Sequence, residues 1–168
     1  MRSRARPARE EEILMTSVTI RPVAGSAEYP RLVEIWRSAV LATHDFLAEE
    51  DRRQIESVLG SDYLPQVLLT AAEADGQVVG FAGTADGRLE MLFVDAAHRG
   101  RGVGRMLLEH VVAEQEVVAL DVNQQNAGAA RFYERNGFRV TGRSEVDDAG
   151  RPYPLLHLAL AAQQDGDA

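Results

Sequence analysis

A chain of 168 residues, 45% of them apolar, is long enough for one domain with a normal core and short for two. It has no cysteine, which excludes disulfides, thiolate metal sites and cysteine nucleophiles and fits a reducing cytoplasm. A net charge of −8 argues against nucleic-acid binding, which needs a concentrated basic surface, and no apolar run approaches the ~20 residues of a membrane span or the core of a signal peptide.

The first fourteen residues, MRSRARPAREEEIL, set four arginines and three glutamates among few apolar groups, which predicts a flexible tail over 1–14. The folded domain is expected over 15–162, with Met15 as the natural start, and a second tail over 163–168. Val18–Val23 (VTIRPV) alternates and is β-branched, the pattern of a strand. Ser26 then offers a cap, and Pro30 a first-turn residue, for a helix burying Leu32, Val33, Ile35, Trp36, Ala39 and Val40 and ending near THDF. Glu49–Leu59 forms a second helix with Gly60 as its terminator. Three strand-like runs follow, Val67–Ala74, Gln77–Thr84 and Arg88–Asp95. The pairs Asp75-Gly76 and Asp86-Gly87 between them suit type I′ turns, which need positive φ at both central residues. At Arg101 the period becomes helical, through Val103, Met106, Leu107 and Val111, to about Gln115. Val117–Val122 reads as a buried strand, and Ala127–Asn136 as a helix capped by Asn126 and stopped by Gly137. Phe138–Val146 and Tyr153–Leu160 are the last strands, around a DDAGRP turn that accounts for Asp147 and Asp148. The sum is an α/β fold, an α+β mixed sheet of about seven strands with four helices.

Between the Arg88–Asp95 strand and the next helix lies Arg99-Gly100-Arg101-Gly102-Val103-Gly104. The first N–H groups of a helix have no internal partners and carry the positive end of its dipole, and glycine lets the backbone close round a bound group. The loop is therefore a candidate anion site, the alternative being a glycine loop that serves only as a tight turn. It is not a Walker A loop, because Arg105-Met106 follows Gly104, and not a dinucleotide fingerprint, because Arg105 stands at the third glycine.

Arg99, Gly102 and Gly104 occupy the fixed positions of a Q/R-x-x-G-x-G/A pattern, and Asn126 to Phe138 follows N-x-x-A-x-x-[LF]-Y-x-x-x-G-F. Together the two runs resemble the motifs of the GNAT (Gcn5-related) N-acetyltransferases, a resemblance that extends over about Val18–Leu160. THDFL at Thr43–Leu47 and VTGRSEVDDAGRPYPLL at Val140–Leu156 are similar to the YjaB group of small bacterial members. One departure is Ala96, where the family often has proline. The resemblance implies acetyl-CoA as cosubstrate, its pyrophosphate held by the backbone of Arg99, Gly100, Arg101, Gly102, Val103 and Gly104. It also implies two splayed strands, with Leu92, Phe93 and Val94 of the first pairing with the pantetheine arm. The reaction implied is acetyl transfer to a primary amine of a small molecule or peptide whose identity the sequence does not carry, without nucleic acid or membrane partners; dimers are common in the family.

Within that reading, Tyr133 is the candidate general acid, a phenol able to protonate the departing thiolate; it is also a residue type that packs well in cores. Asn126 bonds the cofactor, caps its helix, or does both. Glu90, on the strand before the loop, and His44, at the end of the first helix, are the candidate bases. Each also has a structural reading, Glu90 as a solvated strand residue and His44 as a helix-end residue. His98, His110 and His157 share no ligand spacing, so no metal is expected. Two other functions stay open on sequence alone: an acyl-CoA-binding sensor without turnover, and a phosphate-binding module unrelated to coenzyme A.

Overall fold

A computed structural model describes residues 17–162 of the protein; the expected tails and the proposed start at Met15 lie outside the described residues. One sheet runs in the order β1-β2-β3-β4-β5-β7-β6. Its strands are β1 (Val18–Pro22), β2 (Leu68–Ala74), β3 (Gln77–Ala85), β4 (Arg88–Val94), β5 (Ala119–Asn123), β6 (Phe138–Ser144) and β7 (Leu155–Leu160). The α-helices among the described residues are α1 (Tyr29–Thr43), α2 (Glu49–Val58), α3 (Val103–Glu114) and α4 (Ala127–Arg135). The mixed fold with seven strands and four helices is the one expected.

Alternate residues of the strands serve two cores, one on each face of the sheet. On one face Leu107, Leu108 and Val111 of α3 and Tyr133 of α4 pack with Ala72, Val79, Ala82, Leu89 and Leu120. On the other, Leu32, Ile35, Trp36 and Val40 of α1 pack with Leu69, Ala71, Val78 and Phe81. A bulge leaves Val79 as an extra residue in β3, so that Val79 and Gly80 both face α3. The helix lies very close there: a Cβ on Gly80 would come within 3.1 Å of Val103 Cγ1 and 3.3 Å of Leu107 Cδ1.

The hairpin turns are as expected, with positive φ at Asp75 and Gly76 and at Asp86 and Gly87. Asn126 caps α4, its Oδ1 accepting from the Ala129 N–H at 3.2 Å, and Gly137 follows that helix with φ 93°. Several boundaries differ. Ser26 opens a short 3-10 turn and makes no side-chain cap; instead the Glu28 carboxylate accepts from the Ala24 N–H at 2.6 Å, and α1 starts at Tyr29. Gly60 does not end the second helix, because a wide π turn, Leu59–Tyr63, carries the chain through it. Val33 is only half-buried. The last strand begins at Leu155 rather than Tyr153, whose hydroxyl is drawn off the sheet to donate to Asp51 of α2.

The position of the site follows from one pairing. β4 and β5 run parallel and are in register at Arg88↔Ala119 and Leu89↔Leu120 only, while β4 stays paired with β3 as far as Val94↔Gly80. Beyond Leu89, the β5-facing edge of β4 has no strand beside it among the described residues. Substituting Gly80→Ala forces α3 away from β3 and should lower stability by about 1–3 kcal/mol. A urea midpoint equal to that of the wild type would refute the close packing described here.

Candidate active site

Where β4 and β5 part, a cleft of about 580 Å³ opens. Its walls come from both sides of the sheet: Ala39 and Thr43 of α1 with His44 at its C-terminal cap; Leu92, Phe93 and Val94 of β4; the loop with its following helix start; and Asn126, Phe132 and Tyr133 at α4. The structure therefore gathers Leu92, Phe93, Val94, Arg99, Gly100, Gly102, Val103, Gly104, Asn126, Tyr133 and His44 on one surface. Two expected residues do not reach it. Arg101 is exposed and its side chain is not on the cleft wall, and Glu90 is the extra residue of the β3–β4 bulge, exposed and 3.7 Å from Arg88.

The loop fits an anion. Gly100 and Gly102 are left-handed, with φ 77° and 81°, a conformation costly for residues with a Cβ. The first helical bond of α3 runs from the Met106 N–H to the Gly102 carbonyl at 3.0 Å, so the amides of Val103, Gly104 and Arg105 precede it and have no intrahelical partner. The cleft wall carries Arg99, Arg105, Arg135, His44 and His98 and, among the described residues, no aspartate or glutamate. In a chain of net charge −8 this is a local inversion of sign. The geometry offers unpaired amides and arginines at the loop, which suit an anionic group, and unpaired backbone along the free edge of β4, which suits a ligand with amides of its own.

At the other end of the cleft, the Thr43 hydroxyl contacts the Ala39 carbonyl at 2.8 Å and His44 Nδ1 at 2.7 Å. A carbonyl oxygen has no proton to give, so the Thr43 hydroxyl donates to Ala39 and accepts from His44 Nδ1–H. The Nε2 lone pair is left for the cleft. Burial lowers the His44 pKa below its ordinary value, against the opposing pull of Asp45, and favours the neutral ring. Tyr133 packs edge-on against Phe132 and Phe138, and burial pushes its phenol upward. Among the described residues its hydroxyl has no hydrogen-bond partner, and no group of His, Asp or Glu side chains is placed to hold a metal ion. Thr43, His98, Arg105, Gly128, Ala129, Phe132 and Arg135 also line the cleft but were not singled out from the sequence. Ala129 and Phe132 stand at fixed positions of the second motif; Arg135 carries no local signal.

Residues 65–140 match the family model described as an acetyltransferase (GNAT) domain. A protein of Salmonella typhimurium named peptidyl-lysine N-acetyltransferase YjaB is 46% identical over 132 residues, covering 78% of this chain and 90% of the relative. Its Escherichia coli counterpart is 47% identical over 133 residues, covering 79% and 90%. The chain belongs to the GNAT acetyltransferase family. The solution structure of E. coli YjaB superposes with a TM-score of 0.79 at 44% identity, covering 86% of this chain and 97% of that one. YncA of S. typhimurium, solved with its cofactor acetyl-CoA, gives 0.59 at 26% identity over 90% and 99%. This GNAT protein is of the YjaB-like group and is an acetyl-CoA-dependent acyltransferase.

Its departure from the family at Ala96 has a structural reason. The Ala96 N–H donates to Ser38 Oγ at 3.0 Å, a bond proline cannot make, and Asp95 receives Ser38 Oγ–H at 3.2 Å, Arg31 at 2.9 Å and the Ala97 N–H at 3.1 Å. Hydrogen bonds to α1 replace ring rigidity at the start of the loop. At Gly104 a Cβ would find ordinary contacts of 3.7 Å with Phe132 and Val94, whereas a longer side chain would fill the cleft. Gly104→Ala should retain acetyl-CoA affinity in calorimetric titration and Gly104→Leu should lose it; equal affinity for all three proteins would displace the cofactor from this loop.

Proposed function

We propose that this enzyme transfers the acetyl group of acetyl-CoA to the side-chain amine of lysine in peptides or proteins, with His44 as proton acceptor and Tyr133 as proton donor. The observation that carries the mechanism is that one cleft through the splayed strands is lined by α1, with His44, on one side and α4, with Tyr133, on the other. The names of the two YjaB relatives, similar over more than three quarters of the chain, support lysine as the acceptor class. Lack of cysteine fits action in a reducing cytoplasm.

When bound, acetyl-CoA would supply the acetyl thioester, whose carbon–sulfur bond breaks as the amine attacks, with coenzyme A leaving as the thiolate that takes the proton of Tyr133. Arg99 and the amides from Gly102 to Arg105 bind its anionic end, and the free edge of β4 at Leu92–Val94 orients its arm. Lysine reaches the site as an ammonium and must lose a proton before it can attack. His44 is suited to take it, because it is neutral and its Nε2 is fixed as acceptor by Thr43. Tyr133 keeps its proton until sulfur leaves. Its raised pKa does not disqualify it, since a thiolate released into the same buried space is disfavoured by the same desolvation and takes up a proton more readily. Glu90, paired with Arg88 outside the cleft wall, has no direct part in this scheme.

A lysine peptide blocked at its α-amine serves as substrate. Tyr133→Phe should lower kcat about 10²- to 10⁴-fold with acetyl-CoA affinity nearly unchanged. Unchanged kcat would remove Tyr133 from the donor role. Because the base acts when neutral and its pKa is lowered, kcat/KM should rise with pH along a limb whose midpoint lies below the usual histidine value near 6.5, and His44→Gln should abolish that limb. An unaltered profile in the variant would assign the base elsewhere.

A further inference from the structure

A second constellation lies outside the cleft, on strands that the mechanism above does not use. Asp121 of β5 and His157 of β7 are directly opposed in the sheet, and Gly142 of β6 is opposite His157. Their neighbours Leu120, Val122 and Leu158 enter the core under α3 and α4, so Asp121 and His157 lie on the other face. His157 Nδ1 is 2.6 Å from Asp121 Oδ1, and His157 Nε2 is 2.6 Å from Ser144 Oγ. The second oxygen of Asp121 is 3.2 Å from Arg88 Nη2. None of Ser144, His157 and Asp121 lines the cofactor cleft.

The proton positions follow from the partners. A carboxylate can only accept, so His157 Nδ1 carries the hydrogen toward Asp121; with that tautomer Nε2 holds the lone pair that accepts from the Ser144 hydroxyl. A hydroxyl bonded to an imidazole whose far nitrogen is held by a carboxylate is the arrangement that activates a serine nucleophile. Gly142 makes the approach feasible: a Cβ there would already be 3.4 Å from His157 Cδ2, and a larger side chain would turn the ring away from Ser144. The site is reachable, with the His157 side chain 37% exposed. β6 is the outer strand of the sheet, so alternate N–H groups along it have no strand to pair with and are open to a developing oxyanion.

We propose that Ser144, His157 and Asp121 form a second catalytic site that cleaves small activated acyl esters through an acyl-serine. Ser144 Oγ bonds to the acyl carbon while its proton passes to His157 Nε2; the ester carbon–oxygen bond breaks, and the alcohol leaves with that proton. Water then attacks the acyl-serine, giving its proton to His157, and the acid departs as Ser144 Oγ recovers a proton. Asp121 is the positioning residue that fixes the ring's tautomer, and Arg88 positions Asp121 in turn.

The test uses the full chain with p-nitrophenyl acetate, without acetyl-CoA, following nitrophenolate release and locating acetyl groups by peptide mass spectrometry. The wild type should release nitrophenolate about a hundredfold faster than Ser144→Ala or His157→Gln, and the acetyl label should map to Ser144. Ser144→Cys keeps a nucleophile in place and should be labelled at position 144. Lysine acetylation by Ser144→Ala should equal that of the wild type, because that reaction uses the other site. Equal ester cleavage by wild type and Ser144→Ala, label only on other residues, or no label in either the wild type or the Cys variant would overturn the proposal.

Discussion

Two residue pairs join β4 to β5, and the separation of the strands after Leu89↔Leu120 is the constraint on which the site depends. Backbone amides and carbonyls are obligatory hydrogen-bonding groups, and leaving one buried without a partner costs about 1–3 kcal/mol. The β5-facing edge of β4 beyond Leu89 therefore cannot be closed over by apolar side chains. It stays wet or is met by a ligand with amides of its own. The sheet remains continuous around this gap because β3 holds the other edge of β4 and β7 holds the other edge of β5. Opening the sheet at one place costs little while both strands are anchored elsewhere.

The charge distribution matches the same constraint. Averaged over the chain, the balance is acidic, yet the cleft wall collects arginines and histidines and no carboxylates. Acidic side chains elsewhere are paired with neighbouring arginines, as with Glu28 and Glu73 on Arg21, or Glu49 and Glu56 on Arg52. A polyanion thus meets a locally positive channel in a protein whose remaining surface repels it, which favours productive encounters over scattered ones.

Much of this was legible in the sequence because it is local. The Asp-Gly turns, the glycine loop at a helix start and the Asn126 cap each depend on a few consecutive residues, and all appear where the chain pattern put them. The two readings of Glu90 could not be told apart for a nonlocal reason: the bulge that makes it the extra residue is a matter of register between β3 and β4, which residue types alone do not display. The Gly60 boundary was misread because a π turn allows the chain to pass through a glycine that would ordinarily stop a helix. His44 showed its chemistry but not its tautomer, which depends on the neighbouring Thr43 reaching back one helical turn to Ala39. The row of Ser144, His157 and Asp121 is invisible in one dimension, since β7 lies between β5 and β6 in space though it comes last in the chain.

The bonds around Asp95 carry a consequence for evolution and engineering. Arg31 and Ser38 lie on α1, the helix that brings His44 to the cleft, while Asp95 and Ala96 begin the glycine loop on the opposite wall. An exchange of α1 between relatives, made to alter acceptor preference, also removes the groups that hold the cofactor loop in place. A recombined enzyme that inherits proline at position 96 has no N–H for Ser38, and one that inherits α1 without Arg31 leaves the half-buried Asp95 short of a counter-ion. Through these bonds the two ends of the cleft are mechanically coupled, so a change made in α1 also bears on the loop at the start of α3.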